Sequence, residues 1–209
     1  MVERNPSGPW LPLFPLQTVL FPDGVLPLKI FETRYIDMVR ECMRLERPFG
    51  VVAIRTGAET GTAAEPESIG CVASIAEWDM EVGGLLIIRT RGMQRFRILA
   101  TRVLPDQRLE AQVENLPVDG MPPPSAMLVA CAKTLKLAAD DFDARVAEES
   151  GFVHPFAAPW RLDDAGWVAN RWCEILPIPL AGRQELLELD DPQSRLSAIF
   201  IYLQQHQIL

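Results

Sequence analysis

Apolar residues recur with two different spacings along this chain, and the spacing changes near residue 118. Before that point the apolar runs are short, and in 95–99 and 109–113 apolar and polar residues alternate. Alternation of this kind is typical of β-strands with one face in solvent. Val82-Gly83-Gly84 predicts a hairpin turn between two such runs. The pattern predicts strands over these ranges: 10–14, 25–30, 49–54, 71–80, 85–90, 94–103 and 109–115.

Helical spacing occurs once in the first part of the chain and throughout the second part. Residues 33–45 place Tyr35, Val39 and Cys42 on one stripe, with Thr33 as the expected N-cap. After three consecutive prolines, the spacing predicts a bundle of four helices. They cover 125–139, 162–176 with a cap at Asp163 or Asp164, 180–189, and 192–203 after a cap at Asp191.

These elements predict an α+β protein in two parts. We expect a mainly antiparallel β domain at 10–117 that contains the helix 33–45, and a small helical bundle at 125–209. A Pro-rich connection at 118–124 would join them. Residues 1–9 are predicted to be disordered.

Charge and cysteine spacing argue against several classes of function. The formal net charge is −8, whereas a general nucleic-acid binder needs a surplus of Lys and Arg. No apolar run reaches the roughly 18 residues that span a bilayer, and no signal peptide is recognisable, so we expect a cytoplasmic protein without membrane contact. The four cysteines are expected to be buried thiols, since their spacing matches no metal site. No cofactor and no catalytic constellation is predicted.

Five arginines fall close together in the second half of the β region, and two interpretations of them stay open. As a basic strip in an Arg-rich hairpin (89–102) they would bind RNA phosphates. As a solvated strand face they would pair with acids such as Glu77 and Glu110 on neighbouring strands, which we favour. The five are Arg89, Arg91, Arg95, Arg97 and Arg102.

Several motifs also follow one another in an informative order. They are a Pro-rich apolar segment at 10–30, Phe31-Glu-Thr-Arg-Tyr35, a glycine opening a strand at Gly70, Gly92 before Arg95, Glu110-Ala-Gln-Val113, and a leucine-rich stretch around an Asp-Pro turn at 183–196. In this order and spacing the chain resembles the substrate-binding domain at the N-terminus of Lon proteases, roughly over residues 10–203.

The resemblance implies a PUA-like, mainly antiparallel β-barrel followed by a small helical bundle. It also implies a non-enzymatic module that binds unfolded polypeptide or a protein partner. Because the chain contains no G-x-x-x-x-G-K-[ST] phosphate loop, we expect a free-standing module without ATPase or protease activity. The sequence predicts no oligomeric state. An RNA-binding PUA-like protein is the alternative, and a small-ligand pocket in the barrel is a third possibility. The motif residues expected to be structural are Pro15, Phe21, Pro22, Pro27, Phe31, Glu32, Arg34, Tyr35, Gly70, Gly92, Arg95 and Glu110.

One aromatic segment between two predicted helices has no place in these motifs. It contains two prolines and is followed closely by further tryptophans. It is either a packed connection over the bundle, which we favour, or an exposed aromatic surface that contacts unfolded polypeptide. The candidate contact residues are Phe152, Phe156, Trp160 and Trp167.

Overall fold

A computed structural model describes residues 9–81, 84–149 and 152–209 of the chain. The predicted disordered segment 1–9 thus lies almost wholly outside the described residues, as do Val82 and Gly83 of the predicted turn. The elements are β1 (Leu11–Leu16), β2 (Val25–Ile30), α1 (Thr33–Arg44), β3 (Phe49–Thr56), β4 (Glu65–Pro66), β5 (Ile69–Met80), β6 (Leu86–Val103), β7 (Leu109–Asn115), α2 (Ala126–Glu148), α3 (Ala165–Ile175), α4 (Leu180–Glu188) and α5 (Pro192–Gln205).

The chain divides into two compact units. The β unit comprises the residues up to Pro22 together with Leu26–Pro117. The helical unit comprises Asp23–Val25 together with Val118–Leu209. Sheet and helices are therefore largely segregated along the chain, and the predicted α+β class is confirmed.

The sheet of the β unit has seven strands in the order β1-β7-β6-β5-β3-β4, with β2 paired to β6. β5 pairs antiparallel with β3 and β6, and β7 pairs antiparallel with β1 and β6. One further pairing is parallel and joins β1 to β3, with Leu13 opposite Gly50. This pairing closes five strands into a circuit, in the order β1, β7, β6, β5 and β3. No sequence signal within β1 or β3 predicts the pairing.

Two glycines in the sheet allow close approach of other backbone. A Cβ at Gly92 would lie 2.1 Å from the carbonyl oxygen of Phe21, and one at Gly70 would lie 2.5 Å from that of Val51. The sequence predicts a break near Gly92, with strands at 85–90 and 94–103. The prediction of two strands is wrong, because β6 runs unbroken from Leu86 to Val103 and the glycine serves contact with Phe21 rather than a turn.

The core of the β unit forms between the sheet and α1. Tyr35 stacks on Phe14 with ring centroids 4.3 Å apart, and Met38 and Val39 are buried beside them. The predicted N-cap Thr33 is wrong by one position, because Glu32 is the cap and Thr33 the first helical residue. The reason is visible in the backbone, where the Glu32 carbonyl accepts the first two helical hydrogen bonds.

Side-chain caps set the starts of three helices in the helical unit. Ser125 accepts from the Leu128 amide at 3.1 Å, Asp164 from the Trp167 amide at 3.0 Å, and Asp191 caps α5. α2 ends at Glu148 rather than at the predicted residue 139. Ion pairs four residues apart, Lys136 with Asp140 and Arg145 with Glu149, support the helix through its acidic end.

A fully buried arginine organises the centre of the helical unit. Arg195 of α5 donates from Nη1 to Asp119 Oδ2 at 2.6 Å and to Asn170 Oδ1 at 2.9 Å. Its remaining donors reach the carbonyl oxygens of Leu186 and Leu189 at 2.9 and 2.7 Å. Asp119 lies in the segment predicted to be a Pro-rich connection. The Arg195 guanidinium therefore joins this segment to α3, α4 and α5.

Candidate functional site

An apolar groove lies on the β unit where β2 meets the start of α1. We call it the β2–α1 groove, and its volume is about 340 Å³, in the lower part of the range of about 300–1,000 Å³ that is usual for ligand pockets. Most of its lining is aliphatic or aromatic. The lining residues are Phe14, Leu16, Thr18, Leu26, Pro27, Leu28, Lys29, Ile30, Phe31, Glu32, Tyr35, Glu59 and Thr60.

The floor of the groove is fixed by packing. Tyr35 is 4% exposed, and burial raises the pKa of its hydroxyl. Its ring stacks on Phe14, which in turn contacts Phe49 at a centroid distance of 6.1 Å. A floor built from core residues cannot collapse into the groove, so the concavity is preformed.

Polar contacts fix the rim of the groove. The Arg34 guanidinium lies 3.0 Å from Glu32 and donates to the carbonyl oxygens of Gln107 and Glu59 at 3.1 and 3.3 Å. The Glu59 carboxylate accepts from the amide of Gln17 at 2.6 Å. Glu32 and Arg34 therefore hold the loops around the groove in place, in keeping with the structural role expected of them.

Phe31 stands at the mouth of this groove and is 68% exposed. Pro27 and Lys29 of β2 are also exposed beside it. An exposed phenylalanine at the edge of an apolar depression is a feature of surfaces that bind other chains. The sequence motif flagged Phe31 as structural, but its ring faces solvent.

A second depression on the β unit was missed by the sequence analysis. We call it the Trp78 groove; its volume is about 510 Å³. Trp78 is 59% exposed and Met93 is 53% exposed on its wall. The lining residues are Cys42, Met43, Glu46, Arg47, Pro48, Ser74, Ile75, Trp78 and Met93. The available signal was a tryptophan between two acids, Glu77 and Asp79, in the strand predicted at 71–80.

The four aromatic residues predicted as a contact surface belong to a packed cluster in the helical unit. Phe156 and Trp167 are 5% and 3% exposed and contact each other at 6.3 Å between centroids. Phe152 and Trp160 are half-buried. His154 joins Trp160 to Phe156, since its ring stacks on Trp160 and its Nδ1 accepts from the Phe156 amide at 2.9 Å. The interpretation as a packed connection fits this burial better than an exposed aromatic surface.

The remaining motif residues occupy structural positions in the β unit. Pro15 lies in β1 opposite Val52, and Phe21 is completely buried. Pro22 follows it and is half-buried. Glu110 of β7 faces Arg102 across the strand pair and accepts a hydrogen bond from its Nε at 2.7 Å.

The predicted arginine strip does not form one basic surface. Arg95 is 3% exposed, so its guanidinium is withdrawn from solvent. Arg102 bonds to Glu110 and lies over the Trp10 ring at 4.3 Å, while Arg89 and Arg97 stand opposite Glu77 and Glu114. The strand-face interpretation is therefore favoured over RNA binding.

The described ranges contain no group of three or more His, Cys, Asp or Glu side chains placed to hold a metal ion. Nor does any described helix have the length and apolarity to cross a bilayer. All four cysteines are buried and free, as predicted. Burial raises the pKa of Cys131 to about 11 and that of Cys173 to about 12, which keeps both as thiols at neutral pH.

Comparison by sequence and comparison by structure both find proteins named for Lon among those similar to this chain. The crystal structure of a Lon N-terminal domain protein from Xanthomonas campestris has a TM-score of 0.73 and 31% identity, covering 93% of this chain and 99% of that chain. Lon protease 2 of Herpetosiphon aurantiacus is 27% identical over 93% of this chain and 24% of its own length. Protein cereblon of Danio rerio is 32% identical over 56% of this chain and 28% of its own length.

The chain thus spans about a quarter of the length of the curated Lon proteases it matches. The structural similarity confirms the predicted PUA-like fold class. A model of the family described as "ATP-dependent protease La (LON) substrate-binding domain" matches residues 10–205. With nearly the whole chain matched, the protein belongs to the Lon substrate-binding domain family.

Proposed function

We propose that this chain binds unfolded polypeptide, or an apolar segment of a protein partner, in the β2–α1 groove and performs no catalysis itself. The observation that carries the proposal is the exposed Phe31 ring at the mouth of a preformed apolar groove. Membership of a family described as substrate-binding supports the same function.

The chemistry of the groove favours apolar side chains over a small polar ligand. The carboxylates of Glu32 and Glu59 are engaged by Arg34 and by the Gln17 amide, and so act as structural ties at the rim. A site for a polar small molecule needs several polar groups that converge on the ligand. Binding by apolar burial is non-directional and tolerates many sequences, which suits a ligand without a fixed fold.

The contribution of Phe31 can be estimated from its exposure. Burying a whole phenylalanine side chain contributes about 1.5–3 kcal/mol, and with 68% of Phe31 exposed about 1–2 kcal/mol remains to be gained on binding. Loss of that contribution corresponds to a change of about five- to thirtyfold in the dissociation constant.

The test is a fluorescence anisotropy titration of a labelled, permanently unfolded protein. Phe31→Ser should weaken binding by about five- to thirtyfold, because it removes the apolar contact at the groove mouth. The matched control is Val118→Ser, which removes an apolar side chain that is 78% exposed on the helical unit. Equal affinities of the wild-type chain and both variants would contradict the assignment of the groove.

The dependence of affinity on salt concentration distinguishes this function from nucleic-acid binding. Apolar binding should change little between low and high ionic strength, whereas phosphate binding weakens steeply. A labelled RNA oligonucleotide titrated in parallel should show no salt-sensitive binding, because four of the five arginines of β6 stand opposite acids or are buried: Arg89, Arg95, Arg97 and Arg102.

A further inference from the structure

The outer half of β5 has one strand beside it in the described part of the chain. β3 pairs with β5 at Cys71–Ala73, whereas β6 pairs with β5 on its other side from Ile69 to Met80. From Ala76 to Met80 the residues of β5 are exposed. Among the residues that the structure describes, no strand pairs with the edge of β5 facing away from β6 beyond Ala73.

The backbone of Trp78 is directed towards this open edge. Hydrogen-bonded and non-hydrogen-bonded pairs alternate along an antiparallel ladder. The Glu81 amide donates to the Leu85 carbonyl at 3.0 Å, so Glu81 and Leu85 form a hydrogen-bonded pair. By this alternation the third pair along from it, Trp78 with Ile88, is a non-hydrogen-bonded one. The amide and carbonyl of Trp78 therefore point away from β6. Met80 follows the same rule, and its amide donates to its neighbour Asp79 at 2.7 Å.

The two faces of this edge differ in chemistry. Trp78 and Met80 lie on the face that carries the Trp78 groove, whose lining also includes Met43 and Pro48. Glu77 and Asp79 lie on the opposite face and are exposed, because successive side chains of a strand alternate. An added strand would therefore place apolar side chains on the groove face and its alternate side chains beside two carboxylates.

Basic groups near the edge leave one of these two carboxylates, that of Asp79, without a basic cross-strand partner. Arg89 stands opposite Glu77 on the inner neighbour β6, and no basic residue stands opposite Asp79, whose partner is Ile87. Arg47 in the groove is paired with Glu41 at 3.1 Å, and Glu46 beside it adds a further acid. The open edge is complementary to a basic segment.

We propose that the outer edge of β5 binds an extended polypeptide segment by antiparallel strand addition, and that the preferred segment alternates apolar and basic residues. The apolar residues enter the Trp78 groove, and Lys or Arg residues meet Glu77 and Asp79. A second copy of this chain is a poor occupant, because its own Glu77 and Asp79 would face the same carboxylates. The proposal rests on the proposed function, since it names a class of polypeptide that the module accepts.

The pairing geometry makes a specific prediction about which peptide amides matter. In an antiparallel pair, the peptide residue opposite Trp78 exchanges both hydrogen bonds with it and points its side chain to the same face. The apolar residues of the peptide are therefore the ones whose amides face the protein. The amides of the basic residues face solvent.

The experiment uses the whole chain and three short labelled peptides of alternating valine and lysine. One is unmodified, one is N-methylated at the valines and one is N-methylated at the lysines. Methylation at the valines should weaken binding at least about tenfold, and methylation at the lysines should leave affinity within about twofold. Equal affinities of the two methylated peptides, or the reverse order, would overturn the proposal.

Protein variants locate the site and separate it from the β2–α1 groove. Trp78→Ala and the double variant Glu77→Gln/Asp79→Asn should both weaken the unmodified peptide. The control double variant Asp37→Asn/Glu185→Gln removes two exposed acids elsewhere and should not. A peptide that binds all these variants alike would overturn the proposal, and so would a dimer of the wild-type chain that Trp78→Ala dissociates.

The unfolded protein used for Phe31→Ser serves as the reference ligand. If it binds and the valine–lysine peptides show no amide preference, strand addition fails while polypeptide binding stands. If neither the unfolded protein nor any peptide binds, the proposed function itself fails.

Discussion

The contact between Asp119 and Arg195 gives the sharpest stability prediction, because it joins a loop carboxylate to a charge with no exposure to solvent. Asp119→Ala removes the 2.6 Å hydrogen bond to Nη1 and leaves the guanidinium buried with neutral acceptors alone. Breaking a buried ion pair from one side costs about 3–5 kcal/mol. Since Asn170 and two carbonyl oxygens still accept from Arg195, we expect the lower end, about 3 kcal/mol.

The measurement is urea unfolding of the whole chain, monitored by far-ultraviolet circular dichroism, in which the loss of the helical signal reports on the helical unit. For a unit of about 95 residues, a loss of about 3 kcal/mol corresponds to a fall in melting temperature of about 12–24 °C. The double-mutant cycle with Arg195→Met isolates the pair. In the Arg195→Met background the Asp119→Ala change should cost less than about 1 kcal/mol, because no buried charge is left to stabilise.

Two results would refute this reasoning. One is a loss below about 1 kcal/mol for Asp119→Ala, which would place the pair among weak surface ion pairs. The other is the same loss in both backgrounds, which would mean that Asp119 acts through another contact. Gly166 offers an independent check, because a Cβ there would lie 2.6 Å from Asp119 Oδ2 and Gly166→Ala should displace the carboxylate.

Two further predictions concern pH and packing. Burial raises the pKa of Glu174 to about 7 in spite of Arg171 at 2.7 Å, so the native state holds a proton that the unfolded state has released above its pKa of about 4.5. The unfolding free energy of the wild type relative to Glu174→Gln should therefore fall by about 2–3 kcal/mol from pH 5 to pH 8, and a pH-independent difference would contradict the assignment. Gly92→Ala should cost about 1–3 kcal/mol in urea unfolding because its Cβ meets Phe21, whereas Gly120→Ala, with no atom within 4 Å, is the control and should be near neutral.

Local signals in the sequence predicted most of the helices and failed where distant contacts decide. Asp191 before Pro192 placed the start of α5 correctly, because a cap and a fixed φ act within one turn. Gly92 misled the strand prediction, since its reason for being glycine is the Phe21 carbonyl some seventy residues earlier. The parallel pairing of β1 with β3 has no signature within either strand, and so it was not predicted.

The candidate site was predictable in part only. The motif around Phe31 and Tyr35 identified the strand-to-helix entry, but not that one ring would be buried and the other exposed. That difference depends on Phe14 stacking beneath Tyr35, a tertiary contact. The aromatic segment around Phe156 attracted attention through composition, and Trp78 did not, although Trp78 is the exposed residue. Aromatic content alone does not report exposure.

The circuit of five strands sets an order of events during synthesis on the ribosome. One neighbour of β1, β3, is made about 37 residues after it. The other neighbour, β7, is made about 95 residues after β1, which at about 5–20 residues per second is a wait on the order of 5–20 s. During that interval one edge of a largely buried apolar strand, containing Leu13 and Phe14, stays uncovered. A nascent chain of this protein is therefore, for some seconds, itself an unfolded polypeptide with an exposed apolar strand, the same kind of ligand that we propose the finished module binds.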